Sequence, residues 1–329
     1  MSENASGRPQ DQAIAREVPL KRERFSTIER MVRNDDYRVV LSLGGGALPG
    51  LAGNIALLRI LEELDLKPHI EEVWGTSAGA VVGGGWAAGT PAYDILDLVA
   101  SLAEKGSVDA NPLKFALSIL ASCKPLKRPL PDGVVAGKAF RKKIAGGLRV
   151  DRIEDCPTPF RAVACTDDGM GRTKVFRKGP MMPAIYSSMA IPGVMASYPG
   201  DDDGNTYFDG GLVEKTPLKS VIADHSRSSD QRKLLILASH FQNEAREKST
   251  GLVKRFLATI YVLEELIWDY QIKEARERDD VTVTMLDPHL SGFSLFAFDK
   301  TVDAYLESRD AFANSIQNTS IVASLGGML

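Results

Sequence analysis

The sequence predicts an α/β protein with a mainly parallel central sheet. Two short apolar segments typical of buried strands, "YRVVLSL" (37–43) and "IEEVW" (70–74), each precede a segment with the residue pattern of a helix. Both strands run into glycine-rich turns, "GGGALPG" (44–50) and "GTSAG" (75–79). This alternation of strand, turn and helix is typical of a parallel sheet, whose strands are joined by helical crossovers.

The elements follow in order along the chain. Residues 1–36 are polar and charge-dense, which predicts a disordered start and then one helix from Thr27. Apolar residues at helical spacing predict a helix from Leu51 to about Asp65, and a second helix follows Ser77. The remaining predicted elements are a helix over 92–104, a hairpin around Gly169 and Gly171, a helix over 181–193, strands at 206–211, 233–239 and 281–286, an amphipathic helix over 251–277 and a last helix over 299–318.

Composition narrows the class of protein. The chain has 329 residues, 44% hydrophobic and 25% charged, as in a soluble globular protein, and its net charge of −3 argues against a nucleic-acid partner. Three scattered cysteines argue against a disulfide framework or a zinc site and favour a reducing, cytoplasmic compartment. The polar start lacks the apolar core of a signal peptide, and no apolar run reaches about 18 residues. The sequence suggests no cofactor.

The stretch "GTSAG" has the G-x-S-x-G pattern of a nucleophile elbow, in which a serine occupies a sharp strand-to-helix turn. Gly75 and Gly79 remove side chains that would collide in so tight a turn. The helix behind Ser77 directs its N-terminal amides at the serine, which favours negative charge there. The alternative is an ordinary serine at a helix N-terminus.

Two further turns carry chemistry. The loop Gly44–Gly46 exposes backbone N–H groups that suit an oxyanion hole or a phosphate, although it matches neither the dinucleotide nor the P-loop pattern. It is also compatible with a plain strand-to-helix turn. Asp209 precedes Gly210 and Gly211 at the end of a short strand, where a carboxylate is well placed to point into a site. Taken alone, this pattern favours an ordinary turn aspartate.

The order of glycine loop, G-x-S-x-G and D-G-G resembles the patatin-like phospholipase family over roughly residues 37–219. The segments "ACTDDGMGRTKVF", "SSMAIPG" and "YFDGGLVEKTPL" are also similar to segments of that family. The resemblance implies a three-layer α/β/α patatin-like fold and hydrolysis of lipid acyl esters. It implies that Ser77 is the nucleophile and Asp209 the general base, and that the oxyanion hole is formed by the amides of Gly45, Gly46 and Ala78. The motif glycines are Gly44, Gly50, Gly75, Gly79, Gly210 and Gly211.

The chain departs from the family pattern at four places. Pro49 stands where the glycine loop usually has Arg or Lys, and Ala47 replaces a glycine. The family's His after the loop is absent, where this chain reads Gly53-Asn54, and Lys215 replaces the usual Asn. None of these changes removes a catalytic atom, so we expect an intact oxyanion hole. Loss of the loop cation is expected to weaken any preference for strongly anionic lipids.

The four histidines define the alternative mechanism. His289 follows a predicted strand late in the chain, so a Ser–His–Asp triad in the order serine, acid, histidine stays open, and His240 also follows a strand. The D-G-G turn favours the Ser77–Asp209 dyad instead. An aspartate has an unperturbed pKa of about 3.9 and is therefore ionised at neutral pH, as a base must be.

Contact with lipid is predicted for two segments. Residues 113–128 combine apolar and basic side chains, which suits a lid or insertion facing an anionic membrane. The helix over 251–277, whose predicted apolar face includes Ile260, Leu263 and Tyr270, is a weaker candidate because amphipathic helices mostly pack on cores. We expect an N-terminal extension (1–36), a catalytic region (37–219) and a C-terminal part (220–329) that completes the same domain. The alternative function is a lipid-binding pseudoenzyme; the sequence leaves the oligomeric state open.

Overall fold

A computed structural model describes residues 7–104, 107, 133–199, 205–241, 252–286, 293, 297–315 and 321–323. Within these ranges the strands are β1 (Tyr37–Leu43), β2 (Glu72–Thr76), β3 (Gly133–Val135), β4 (Phe160–Thr166), β5 (Thr173–Phe176), β6 (Gly193–Met195), β7 (Tyr207–Asp209), β8 (Lys233–Ser239), β9 (Val281–Leu286) and β10 (Ile321–Ala323). The α-helices are α1 (Pro9–Arg16), α2 (Ser26–Val32), α3 (Ala47–Glu63), α4 (Ala78–Ala87), α5 (Ala92–Ala100), α6 (Lys138–Gly147), α7 (Met181–Ser188), α8 (Gly211–Glu214), α9 (Lys219–His225), α10 (Leu252–Arg276) and α11 (Thr301–Ser315).

One eight-stranded sheet forms the centre of the molecule, in the order β10-β9-β8-β1-β2-β4-β5, with β7 also paired to β4. The pairs among β9, β8, β1, β2 and β4 are parallel. The strands β10, β5 and β7 pair antiparallel to their neighbours. A second, two-stranded sheet joins β3 to β6. The prediction of a mainly parallel central sheet is confirmed.

Helices cover both faces of this sheet. Alternate residues of one strand point to opposite faces, and in β1 the side chains of Val39 and Leu41 enter one apolar cluster while Val40 enters the other. The larger cluster contains residues of α3, α4, α5 and α11, and the smaller contains residues of α9 and α10. The architecture is therefore the predicted three-layer α/β/α arrangement.

Helix α1 lies in the N-terminal segment, where the sequence predicted a disordered start. Helix α1 contacts α5 and α11, and its Ala13 is fully buried. The Glu17 carboxylate that follows accepts hydrogen bonds from the hydroxyls of Tyr93 and Tyr305. Phe25, in the 3-10 turn before α2, is buried too. For the described residues of this segment, from residue 7 onward, the expectation of disorder was wrong, because the residues that hold it in place come from distant parts of the chain.

Helix α10 has the predicted extent but buries a different face. The sequence predicted a shared apolar face including Ile260, Leu263 and Tyr270, and Ile260 is indeed buried. Leu263 and Tyr270, however, are 51% and 69% exposed. Trp268 is buried instead, because it stacks on the ring of His240 at a centroid distance of 4.0 Å.

Some sequence predictions fall outside the described residues. These are the lipid contact assigned to residues 113–128 and the role of His289 as a triad partner. Among the described helices, none is long and apolar enough to cross a membrane.

Candidate active site

Ser77 lies in the sharp turn between β2 and α4. Its backbone has φ 54° and ψ −117°, a conformation that residues other than glycine rarely adopt and that is often found at functional sites. The flanking glycines are needed for close approach: a Cβ on Gly75 would lie 2.4 Å from the carbonyl oxygen of Gly79. A Cβ on Gly79 would lie 2.0 Å from the carbonyl oxygen of Leu43. The turn has the geometry of a nucleophile elbow.

Ser188 holds this turn in place through hydrogen bonds, although its sequence context did not mark it as a site residue. Its hydroxyl accepts a 2.9 Å hydrogen bond from the Ser77 N–H and donates to the Val163 carbonyl in β4. Its own carbonyl accepts from the Gly210 N–H at 3.0 Å. Through these hydrogen bonds, one residue joins the Ser77 turn to the Asp209 turn, and Ser188 is itself fully buried.

Antiparallel pairing of β7 with β4 places Asp209 at the same edge of the sheet as the end of β2. Ala164 of β4 pairs with Asp209, while the preceding Val163 pairs with Thr76 of β2. The end of β7 therefore lies next to the end of β2, where Ser77 begins its turn. The two candidate catalytic residues are brought together although they are 132 positions apart in the sequence.

The Asp209 carboxyl is buried and held by local hydrogen bonds. Its Oδ1 accepts a 2.7 Å hydrogen bond from the Gly211 N–H. Burial raises its pKa from 3.8 to about 6, and hydrogen bonds from the Gly211 amide and the Ser77 side chain oppose that rise. A carboxylate with this pKa is ionised at neutral pH and more basic than a solvated aspartate.

Ser77 and Asp209 line one pocket. Gly46 lies beside them, Ile191 adds an apolar wall, and Tyr261 from α10 forms part of the opposite side. The pocket thus has a polar base at the strand ends and apolar walls, as expected for a site that takes a substrate with an apolar chain.

The glycine loop supplies amides to this pocket, but not all that the sequence predicted. The Gly45 N–H donates to the Lys215 carbonyl at 2.9 Å, and the Gly44 N–H is bonded to Ser239. An amide already bonded within the protein is not available to a substrate oxygen, which argues against Gly45 as an oxyanion donor. Within the described ranges the N–H groups of Gly46 and Ala78 have no partner.

The start of α3 accommodates the two residues of the glycine loop that depart from the family pattern, Ala47 and Pro49. Ala47, the first residue of α3, has φ 49°, a left-handed value that explains why a glycine is favoured there. Pro49 lies in the first turn of α3, where backbone N–H groups lack helical partners in any case, so its missing N–H costs no hydrogen bond. Gly50 is tightly packed, since a Cβ there would lie 3.1 Å from the Cβ of Ala78.

A buried charged cluster from α10 borders the pocket. The ammonium of Lys215 lies 2.6 Å from Glu265 and 3.8 Å from Glu264, and both Lys215 and Glu264 line the pocket. Burial raises the pKa of Glu264 to about 7, and repulsion by the Asp209 carboxylate adds to the rise, while Lys215 opposes it. In the sequence, Lys215 stands out only as a departure from the family pattern. Glu264 does not stand out at all, because the residue pattern of α10 alone does not show what the helix covers.

The described histidines lie away from the nucleophile. His240 is buried, with its ring nitrogens 3.1 Å from the Thr216 hydroxyl and from Glu265, and burial lowers its pKa. His225 lies near Asp280, and His69 near Arg33. Among the described residues, no histidine lines the pocket that holds Ser77.

Comparisons with known proteins agree with this geometry. The sequence model of the family described as patatin-like phospholipase matches residues 41–222. This match includes the glycine loop, the serine turn and the D-G-G turn.

Relatives and solved structures are similar to parts of the chain. An uncharacterized NTE family protein of Mycobacterium bovis is 34% identical over 185 residues, which cover 56% of this chain and 45% of the relative. The lysophospholipase NTE1 of Mycosarcoma maydis is 31% identical over 191 residues, 57% of this chain and 9% of the relative. The chain thus spans less than half the length of these relatives.

The crystal structure of VipD from Legionella pneumophila is 11% identical, with a TM-score of 0.44, over 85% of this chain and 66% of that one. The family match covers more than half of the chain and contains all three turns that meet at the pocket. On that ground, the protein belongs to the patatin-like phospholipase family.

Proposed function

We propose that this protein is a serine acyl hydrolase that cleaves acyl esters of lipids, with Ser77 as the nucleophile and Asp209 as the general base. The observation that carries the proposal is the pairing of these two side chains at the base of one pocket, with Ser77 in the backbone conformation of a nucleophile elbow. Membership of the family and a relative named as a lysophospholipase support lipid esters as the substrate class.

In the acylation step, the Oγ of Ser77 attacks the ester carbonyl carbon while the Asp209 carboxylate takes the hydroxyl proton. The tetrahedral intermediate collapses when the bond to the leaving alcohol breaks. The protonated Asp209 donates its proton to that alcohol, and the acyl group remains on Ser77. A buried carboxylate suits both roles, because its pKa of about 6 lies close to neutral pH.

In the deacylation step, the same groups act on water. Asp209 takes a proton from a water molecule, whose oxygen attacks the acyl-enzyme carbonyl. The proton returns to the Oγ of Ser77 as the fatty acid leaves, which restores the starting state. No second base is required, because the acid formed in the first step has already given up its proton.

The oxyanion formed in both steps is assigned to the amides of Gly46 and Ala78. Both N–H groups lack a partner within the described part of the chain, and they lie at the N-termini of α3 and α4. The positive ends of both helix dipoles favour a negative oxygen there. Each donor of this kind contributes roughly 3–4 kcal/mol in the transition state.

We also propose that residues 37–219 form the catalytic region and that residues 220–329 complete the same domain. The support is the position of β8, which lies directly beside β1 in the sheet and is followed outward by β9. Without these strands, β1 would be an open edge next to the glycine loop.

The proposal is tested with a fluorophosphonate probe, which reacts with activated serines, and with a short-chain nitrophenyl ester. We expect one covalent label and ester turnover in the native chain, and neither in Ser77→Ala. Asp209→Asn should reduce turnover by several orders of magnitude, as loss of an acid–base partner does elsewhere. His289→Ala should keep most activity.

Three outcomes contradict the proposal. Labelling that survives Ser77→Ala places the nucleophile elsewhere. A large loss in His289→Ala supports a Ser–His–Asp triad in place of the dyad. A native protein that neither labels nor turns over any ester, yet binds lipid, is the pseudoenzyme alternative.

A further inference from the structure

The outer side of helix α10 exposes a group of large apolar side chains. These are Val262, Leu263, Leu266 and Tyr270, whose exposed fractions run from 51% to 69%. They make up four of the eight large apolar residues that are exposed in the described part of the chain, so they form a cluster and not a random scatter. At 3.6 residues per turn they fall within an arc of about 100°. We call these four residues the outer face.

The opposite side of the same helix borders the active site. Ile260, Tyr261 and Glu264 line the pocket that contains Ser77. The outer face therefore begins one or two residues away from side chains that touch the catalytic pocket. A molecule or surface that contacts the outer face therefore lies beside the pocket.

The pocket itself is nearly filled by protein. Its cavity has a volume of about 30 Å³, which is room for only about two water molecules. An acyl chain is far larger, so it fits this cavity only if side chains that line it, such as Ile260 and Tyr261, move aside. Contact with the outer face would act on the helix that carries these two side chains.

The charges around the outer face are balanced. Exposed Arg255 and Lys273 lie near its two ends, and exposed Asp269 and Glu274 lie on its flanks. A surface with no excess of positive charge has no electrostatic preference for anionic lipids. Attraction to a lipid surface would come from burial of the apolar side chains.

We propose that the outer face of α10 is the surface through which this protein docks on a lipid layer, so that the pocket mouth meets the acyl chains of its substrate. The inference rests on the proposed function. A lipid layer is the partner chosen because the substrate has to leave it and enter the adjacent pocket. A second copy of the chain seated on the same face would instead obstruct access along α10.

The test compares two double variants in a Ser77→Ala background, so that the vesicles stay intact. Leu263→Gln/Leu266→Gln removes two apolar side chains of the outer face without adding charge. Ile14→Gln/Val18→Gln is the matched control, because Ile14 and Val18 are similarly exposed on the N-terminal segment. Binding to phosphatidylcholine vesicles is measured by cosedimentation at low and high salt, and hydrolysis of a short water-soluble ester is measured with Ser77 intact.

We expect the outer-face variant to bind vesicles roughly tenfold more weakly or worse, from the loss of two buried leucine side chains. The control should bind like the parent, and high salt should not release it. Both variants should hydrolyse the soluble ester at the parental rate. If the native chain cleaves no ester at all, the proposed function fails, while the vesicle comparison still tests the docking surface.

Three results would overturn the inference. One is equal vesicle binding by the parent and the outer-face variant. Another is a parallel loss of soluble-ester hydrolysis in that variant, which would make the two leucines structural. The third is a dimer, detected by light scattering, that the outer-face variant dissociates, which would assign this face to a second copy of the chain.

Discussion

The N–H of Ser77 donates a 2.9 Å hydrogen bond to the hydroxyl of Ser188, 111 positions later in the chain. This bond fixes the backbone of the candidate nucleophile in a conformation that is otherwise unfavourable. Because the Ser188 carbonyl also accepts from the Gly210 N–H, next to Asp209, the relative position of the two proposed catalytic side chains depends on this residue.

Ser188→Ala should therefore lower kcat by roughly ten- to hundredfold with a smaller change in KM, because the nucleophile is displaced while the pocket walls stay. The matched control is Ser187→Ala: Ser187 is also buried, and its hydroxyl has no hydrogen-bond partner among the described residues. That control should keep full activity. Equal kinetics for the two variants would contradict the positioning role of Ser188.

The pH dependence of kcat/KM should show a fall below about pH 6. The base must be ionised, and burial raises the pKa of Asp209 to about 6. Glu264→Gln should leave this limb in place, because burial raises the pKa of Glu264 to about 7 and this carboxyl is therefore largely uncharged where Asp209 titrates. A limb near pH 4 in the native protein, or one that Glu264→Gln moves to a clearly different pH, would contradict this assignment.

Asp209→Asn should stabilise the folded protein at neutral pH, although it should reduce turnover by several orders of magnitude. The pKa of Asp209 is raised from 3.8 to about 6 on folding, so the folded state binds this proton more tightly than the unfolded state. The protonated Asp209 carboxyl therefore stabilises the folded state fully below about pH 4, and this stabilisation is lost as the pH rises through about 6.

The cost of the buried charge at pH 7 is about 3 kcal/mol. Asparagine does not ionise and keeps an oxygen that accepts from Gly211. Denaturant unfolding at pH 5 and pH 7 should show the gain of the variant increasing with pH. A difference in the free energy of unfolding that does not depend on pH would exclude a raised pKa of Asp209 as its cause.

Gly79→Ala should unfold or inactivate the protein, because the new methyl group would lie 2.0 Å from the Leu43 carbonyl oxygen. Gly85→Ala lies on the same helix, where the methyl group would meet only the Ile95 side chain at 3.3 Å. Because alanine has a higher helix propensity than glycine, which offsets this close contact, the midpoint of thermal unfolding of Gly85→Ala should change little. Circular dichroism and probe labelling distinguish the two, and an active Gly79→Ala protein would show that the tight elbow is not required.

Local patterns were sufficient to predict much of this molecule. The bounds of β1 and β8 follow from apolar runs that end at glycine or at a polar residue, and the elbow follows from the spacing of Gly75, Ser77 and Gly79. These features depend on neighbours in the sequence. They were predictable because the backbone alone limits which residues fit there.

Features that depend on distant contacts were missed. The bond from Gly45 to the Lys215 carbonyl joins two loops 170 positions apart, and no pattern in either loop shows it. The buried face of α10 was misassigned because Glu264 and Trp268 turn inward toward Lys215 and His240. Polar partners at the site outweigh the apolar periodicity on which the prediction was based.

The most direct test of the central claim is detection of the acyl-enzyme. The native protein is mixed with a nitrophenyl ester, quenched in acid within the first turnovers, digested and analysed by mass spectrometry. We predict an acyl group on the peptide that contains Ser77, formed in a burst of nitrophenol release, and no such adduct in Ser77→Ala or, on this timescale, in Asp209→Asn. An acyl group on another residue, or turnover without any covalent adduct on Ser77, would contradict the account.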